Sequence, residues 1–449
     1  MQKPDWLILQ NLQSTPSAIS DIVVSAIKAG SLKPGDKLPT VRDTARWFNV
    51  SPSTIAGAWS KLRLAGYVTT HRRGGSYVIE RTGRLTEAAV EHAPTTLIDV
   101  SGASPDLKLQ PDLSLALMAG LRVPKLHDTD LDYIIEPLRQ KMAEEWPFKA
   151  QEWLVGGGSS ESILLSVAGL TRPGDAVAVE QPTSPRSLQI LHRLGSNPIG
   201  VSWDDHGPKV SELKRALDAG AVAFIYQPRD QMPLGLSVTD ARLEELASVL
   251  QLYPDVAIIE DDPLGPLSSG ATPSLGARFE QRTVLVRSFC RAYGFDLRAS
   301  VIGGGREHMV RIRERRSFGL GMTSRILQGA LHHMLTDPSA RSEVEQARRE
   351  YARRRSTLRR ALDQRGIKGL IGGDGLILWV PVNDERQAAL ALAENQILVG
   401  RGSEYCVHST GNHIAIGLGG LTLGADDIDQ IAGVVASAAK GQGKMVSWD

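Results

Sequence analysis

The sequence predicts an α/β protein in two parts. A three-helix module closed by a basic β-hairpin comes first, followed by a large domain on a mostly parallel sheet with a smaller α+β tail. Three observations point there. Apolar residues recur at helical spacing through about residue 65, then give way to two short alternating runs joined by a basic turn. From about residue 97, apolar runs such as Ala176–Val179, Ala221–Ile225, Val256–Ile259 and Thr283–Val286 alternate with amphipathic stretches of helical length, the pattern of a sheet covered on both faces. Charge divides along the same line. Residues 1–86 hold five Lys and seven Arg against four Asp and one Glu, a net +7, so with +1 overall the remainder carries −6.

A first helix is expected over residues 17–30, where Ile19, Ile22, Val23, Ala26 and Ile27 share a face and Gly30 supplies a stop. Pro34-Gly35 marks a turn. Thr40 is placed to cap a second helix running through Phe48. Ser51 opens a third, with Ile55, Ala58, Trp59 and Leu62 on its apolar face, and Gly66 ends it. Tyr67–Thr70 and Ser76–Ile79 alternate like strands around the turn His71-Arg72-Arg73-Gly74-Gly75. Three helices and a basic hairpin make a winged helix, so residues 1–80 are expected to be a nucleic-acid-binding domain. Residues 81–96 are polar and patternless, a linker by composition. Residues 97–449 form the large domain. After residue 305 its Arg-rich helical stretch Arg348–Arg360 leads to strands near 375–381 and 413–418.

A chain of 449 residues, 42% hydrophobic and 22% charged, can bury sizeable cores without disulfides or metal. Its two cysteines, Cys290 and Cys406, give neither a disulfide framework nor a zinc motif, and suit a reducing compartment. The first residues lack the apolar run of a secretory signal, and no stretch approaches the roughly 20 apolar residues that span a bilayer. The expected location is cytoplasmic, with no membrane association and no metal.

Within the small module, Ser51, Ser53 and Thr54 put hydroxyls in the first turn of the third helix, where backbone N–H groups also face outward. Such a turn suits phosphate oxygens or base edges. Arg42, Arg72 and Arg73 can add phosphate or minor-groove contacts. The bland reading of Ser51 is a helix cap. The run Gly30…Leu32-Lys33-Pro34-Gly35-Asp36-Lys37-Leu38-Pro39-Thr40, with Arg42, Ala45, Val50-Ser51, Thr54, Leu62 and Gly66, resembles the GntR family of bacterial transcription regulators. Pro52 and Arg73 depart from its common pattern, where Arg and Gly respectively are usual.

Residues 97–435 resemble fold-type I aminotransferases, which makes the whole chain similar to the MocR-type subgroup of the GntR family. The resemblance implies a site for pyridoxal 5′-phosphate, taken here motif by motif. Gly158-Ser159-Ser160 stands where the family cradles the phosphate, and a Gly-Ser turn at a helix N-terminus offers donors to an anion. Asp261, in Glu260-Asp261-Asp262-Pro263, matches the carboxylate beneath the pyridine nitrogen. Ser288 and Arg298 match phosphate-binding groups. Arg291 stands where the family has its Schiff-base lysine, and a guanidinium is not a usable amine nucleophile. No Lys occurs between Lys214 and Lys368. Leu264, Ser184, Leu234 and Ala415 replace a tyrosine, a ring-stacking aromatic, a threonine and the substrate-carboxylate arginine.

The pocket residues so implied are Ser159, Ser160, Asp261, Ser288, Arg291 and Arg298, with no catalytic residue. No covalent cofactor is expected. Either pyridoxal phosphate or another phosphorylated or anionic effector binds non-covalently, or these residues survive as scaffold, with Asp261 satisfied by Arg298, by Arg291 or by backbone groups. The reading is therefore a sequence-specific regulator that binds double-stranded operator DNA as a homodimer, its aminotransferase-like domain inactive and used for sensing or dimerisation. The alternative, should Arg291 not occupy the lysine position, is a pyridoxal-phosphate-dependent aminotransferase or a regulator responsive to that cofactor.

Overall fold

A computed structural model describes residues 16–28, 31–33, 35–48, 50–64, 67–71, 75–78, 97–408, 411–422 and 424–441. Contacts divide the chain between Thr95 and Thr96 into two compact units. The expected linker, 81–96, lies outside the described residues.

The first unit has helices α1 (Pro16–Lys28), α2 (Val41–Phe48) and α3 (Pro52–Leu64), then strands β1 (Val68–His71) and β2 (Gly75–Val78). Ile19, Val23, Ile55, Ala58 and Leu62 are buried with Val68 and Val78, so the apolar faces read from the sequence meet in one core. The hairpin is antiparallel with Val68 opposite Val78. Gly35 and Leu38 donate backbone N–H groups to Val78 and Ser76, which fastens the segment from Gly35 along the second strand. Gly35 has φ +90°, a conformation that favours glycine and explains the residue.

The large unit centres on an eight-stranded sheet. Its strands are β4 (Glu152–Gly156), β5 (Ala176–Gln181), β6 (Asn197–Asp204), β7 (Gly207–Pro208), β8 (Ala221–Tyr226), β9 (Ala257–Asp262), β10 (Thr283–Ser288) and β11 (Ser300–Gly304). Their order is β4-β11-β10-β9-β8-β5-β6-β7. The pairs from β10 through β9, β8 and β5 to β6 are parallel, and β11 and β4 close one edge antiparallel. Helices α4 (Ser159–Leu170), Pro185–Arg193 and Arg306–Ser317 cover one face, burying Val179, Ile225, Ile259, Val284 and Val286. The other face carries Ile258 and Leu285 and is covered by the remaining layers.

The smaller sheet has the order β12-β14-β13-β3, from β3 (Ile98–Val100), β12 (Ile377–Pro381), β13 (Ile397–Arg401) and β14 (His413–Gly417). The sequence reading placed this subdomain wholly at the C-terminal end. In fact β3, at the very start of the unit, pairs in parallel with β13, Ile98 beside Ile397. The long helix α6 (Pro338–Gln364) runs between the two sheets in the chain, and the four-residue helix α5 (Cys290–Tyr293) follows β10. Among the described residues no helix is long and apolar enough to cross a membrane, and no group of three or more His, Cys, Asp or Glu could hold a metal ion.

Candidate functional site

In the first unit, Arg42 is exposed on α2 and Ser51 is exposed just before α3. Ser51 does act as a helix cap: its Oγ accepts the Thr54 backbone N–H at 3.2 Å and lies 2.8 Å from Thr54 Oγ1. The two hydroxyls thus form one polar knob at the head of the third helix. The Ser53 side chain, Arg72 and Arg73 lie outside the described residues.

In the large unit, strand pleating sorts the site residues. Successive side chains of β9 point to opposite faces, so Asp261 and Asp262 part company. Asp261 pairs across the ladder with Val286 and Asp262 with Arg287. Ser288, two residues past Val286, therefore shares the Asp261 face. That face is the one α4 covers, and Ser159 in the first turn of α4 donates its hydroxyl to Asp261 Oδ1 at 3.1 Å. The structure thus brings Ser159, Asp261 and Ser288 to one side of the sheet from three distant segments. Ser160 is exposed on the same helical turn. Gly158 adopts φ +95° there, and a side-chain carbon on it would sit 3.1 Å from Cys290 Sγ, which places this turn against the start of α5.

Two of these residues are electrically or sterically unfinished. Burial pushes the Asp261 carboxyl up to about 7, opposed by the Ser159 hydrogen bond and the Arg291 charge. Ser288 is buried, and its Oγ has no hydrogen-bond partner. Directly opposite on β11, Ser300 is satisfied by Ser162 at 2.7 Å.

Of the two arginines expected to satisfy Asp261, Arg291 acts on it through charge and not through a hydrogen bond, and Arg298 points elsewhere. Arg291 turns its Nε to the carbonyl of Ala103 at 3.0 Å and its Nη1 to the carbonyl of Pro263 at 3.1 Å. Backbone acceptors of β9's end and of the segment after β3 hold the guanidinium, so it acts on Asp261 only through its charge. Arg298 is exposed, in the left-handed region at φ +44°, with its guanidinium 5.9 Å from the Phe295 ring centroid. Ala415 is fully buried in the core beside Trp379 and Tyr405.

Sequence reasoning missed two charge clusters, the first half-buried and the second buried. Glu161, in the first turn of α4, accepts the Gly157 N–H and the Arg316 guanidinium, the latter at 3.0 Å, so one donor of the phosphate-like turn is already taken. On the opposite face, Asp262 lies between Arg229 and Arg287, both at 2.8 Å. Burial alone would raise its pKa, but the charges of Arg287 and Arg229 hold it below the ordinary carboxylate value. The doubled acid in Glu260-Asp261-Asp262 was the available signal: on a buried strand it requires polar partners on both faces.

A fit to pyridoxal phosphate can be judged from these residues. An orphaned buried hydroxyl at Ser288, a helix N-terminal turn at Ser159-Ser160 and a buried carboxyl at Asp261 fit a phosphorylated aromatic ring. Arg291, committed to two carbonyls, does not fit a covalent link.

Similar proteins follow the same division. The family described as bacterial regulatory proteins, gntR family, matches residues 16–78, and the aminotransferase class I and II family matches residues 125–417. The vitamin B6 salvage pathway transcriptional repressor PtsJ of Salmonella typhimurium is 32% identical over 431 residues, covering 94% of this chain and 98% of its own. The pyridoxine biosynthesis transcriptional regulator PdxR of Corynebacterium glutamicum is 24% identical, covering 78% of this chain and 79% of its own. Among solved structures, a Pyrococcus horikoshii kynurenine aminotransferase superposes with a TM-score of 0.68 at 20% identity, over 80% of this chain and 98% of that one.

Proposed function

This chain belongs to the MocR-type regulators, in which a GntR winged helix-turn-helix is joined to an aminotransferase class I/II domain, and from that premise we propose a specific division of labour. The first unit binds operator DNA, with Arg42 and the Ser51–Thr54 knob, together with Ser53, Arg72 and Arg73, meeting phosphates and base edges. The second unit senses a phosphorylated vitamin B6 form without covalent capture and performs no aminotransferase chemistry. Two copies pair so that the operator is read as two half-sites.

The observation that carries this reading is the placement of Arg291. At the turn after β10 it presents a guanidinium held by the Ala103 and Pro263 carbonyls, and no amine. Pyridoxal phosphate brings an aldehyde and an electron-accepting ring, and using either in transamination calls for a free amine at this turn. What the residues present can do is bind. Ser288 donates its unpartnered hydroxyl to a phosphate, the first turn of α4 adds backbone donors and a favourable dipole end, and Asp261, poised near pH 7, either accepts from or donates to a ring nitrogen. The printed names of PtsJ and PdxR, both tied to vitamin B6, favour this ligand over other phosphorylated ones. Such a ligand changes DNA binding only through different affinities for two arrangements of the chain.

The test is an absorbance spectrum of the purified chain with pyridoxal phosphate, followed by borohydride and intact mass. Binding that dialyses away and leaves the mass unchanged is expected. A permanent mass increase after reduction would overturn the non-covalent reading and restore the cofactor-linked alternative.

A further inference from the structure

We propose that the large unit holds a second ligand site, on the sheet face opposite Asp261, which takes a small organic polyanion carrying two or more carboxylate or phosphate groups. The site is a cavity of about 560 Å³ between β10, α5 and the first half of α6, a size within the range of small-molecule pockets.

Its wall carries four arginines: Arg229, Arg287, Arg341 and Arg348. Arg229 and Arg287 both form their ion pair with one carboxylate, Asp262. Arg287 is further steered by the Glu145 carbonyl and the Thr272 hydroxyl, and its guanidinium lies 5.1 Å from the Trp146 ring centroid. Arg341 and Arg348, one above the other two turns apart on α6, form no ion pair among the described residues, and Arg348 Nε is buried without a hydrogen-bond partner. The acids of the wall are engaged elsewhere. Glu145 binds Lys141 at 2.6 Å, and Glu345 faces Arg349 at 3.5 Å. The cavity therefore presents uncompensated guanidinium donors, which match the paired oxygens of carboxylates and phosphates.

The rest of the wall suits the carbon frame of such a ligand. Phe289 and Tyr293 stack on each other, ring centroids 6.4 Å apart and planes within 8°, next to Leu335 and Val344. These two rings also give the cavity a consequence. They bracket α5, the turn that carries Arg291, and Ser288 immediately precedes them. The arginines opposite lie on α6, whose second half binds Asp106 through Arg354 at 2.6 Å and reaches the carbonyls of Leu418 and Gly419. A polyanion bridging Phe289–Tyr293 and Arg341–Arg348 thus clamps the turn of the cofactor-like site to the helix that supports the small sheet.

The experiment is thermal unfolding of the full chain with citrate and, separately, inorganic pyrophosphate, each against sodium chloride of equal ionic strength. A ligand that binds only the folded chain raises its midpoint. Either probe is expected to raise the midpoint, and the probe that does so more strongly identifies carboxylate or phosphate as the preferred group. In the double variant Arg341→Gln/Arg348→Gln the apparent affinity falls about tenfold or more, as it does in Ser342→Glu, which sets a like charge at the wall. No shift beyond that of chloride with either probe, or an equal shift in the double variant, overturns the proposal. A pyrophosphate shift abolished by Ser288→Ala overturns it too, by assigning the binding to the other face.

Discussion

On one face of β9, Asp262 sits between two arginines at 2.8 Å, its charge more than matched. On the other face, one residue earlier, Asp261 has a single hydroxyl at 3.1 Å, and the cation in its neighbourhood, Arg291, spends its donors on two carbonyls. Both carboxyls are buried, and burial pushes both toward the neutral form. Only the Asp262 face offers enough countercharge to reverse that push. The contrast separates architecture from function within one dipeptide. Asp262 is fastened on every side and holds loops together, while Asp261 and its neighbour Ser288 keep unspent hydrogen-bonding capacity on a face where nothing structural requires it.

The largest effect that could break this contrast is expected at Asp262. Replacing it by Asn leaves Arg229 and Arg287 facing each other almost fully buried, and removing one partner of a buried pair costs about 3–5 kcal/mol. Tryptophan fluorescence, to which Trp146 beside Arg287 contributes, follows the unfolding. A denaturant midpoint for Asp262→Asn close to that of the parent chain would show that the arginines are satisfied by backbone carbonyls alone, and Asp262 would lose its structural rank.

Asp261→Asn has a smaller, pH-dependent effect. The folded-state value near 7 lies above the ordinary 3.8, so between about pH 4 and pH 7 the folded chain keeps a proton that the unfolded chain has released. Stability therefore falls with rising pH across that window, and the full cost is present above it. Asn never ionises, so the variant matches the parent at acid pH, gains on it from about pH 4 to pH 7, and above that keeps a constant advantage of up to a few kcal/mol. Glu180 and Glu260, pushed by burial to about 8 and about 7, bend both curves in the same direction and cancel in the difference. Midpoints that differ by the same amount at every pH would make Asp261 an ordinary carboxylate and erase the contrast.

What the sequence made legible follows from distance along the chain. The winged helix is written locally: caps, Pro-Gly turn and apolar faces all lie within a few residues of the contacts they make, and Ile19, Ile55 and Leu62 meet as their spacing requires. The alternation of apolar runs and helices likewise revealed the large sheet. The membership of the small sheet was hidden, because β3 is three residues long and its partner lies some 300 residues away, beyond any periodicity. In the site, residue types were readable and their partners were not. Asp261 could be singled out at a strand end, but that Ser159 would reach it, and Arg291 would not, depends on backbone carbonyls that no side-chain pattern encodes. The Arg229–Asp262–Arg287 cluster was invisible for a related reason: the two arginines lie in different segments, and only the β9–β10 register brings Arg287 beside Asp262.

The smallest stability change should come from Ser288, and its smallness is informative. Ser288 and Ser300 face each other across β10 and β11, chemically identical and both buried. Ser300 shares a hydrogen bond with Ser162, so Ser300→Ala strands a buried hydroxyl and should cost about 1 kcal/mol or somewhat more. Ser288 has no partner to lose, so Ser288→Ala removes an unsatisfied buried group and should leave stability unchanged or raise it by up to about 1 kcal/mol. If that hydroxyl is held in reserve for a phosphate, the same substitution must weaken pyridoxal phosphate binding about tenfold, the worth of one hydrogen bond to a charged group. Ser300→Ala should leave that affinity alone. A chain that tolerates Ser288→Ala in both stability and ligand affinity would show that the hydroxyl serves neither the fold nor a ligand, and the Asp261 face would then differ from the Asp262 face by neglect rather than by use.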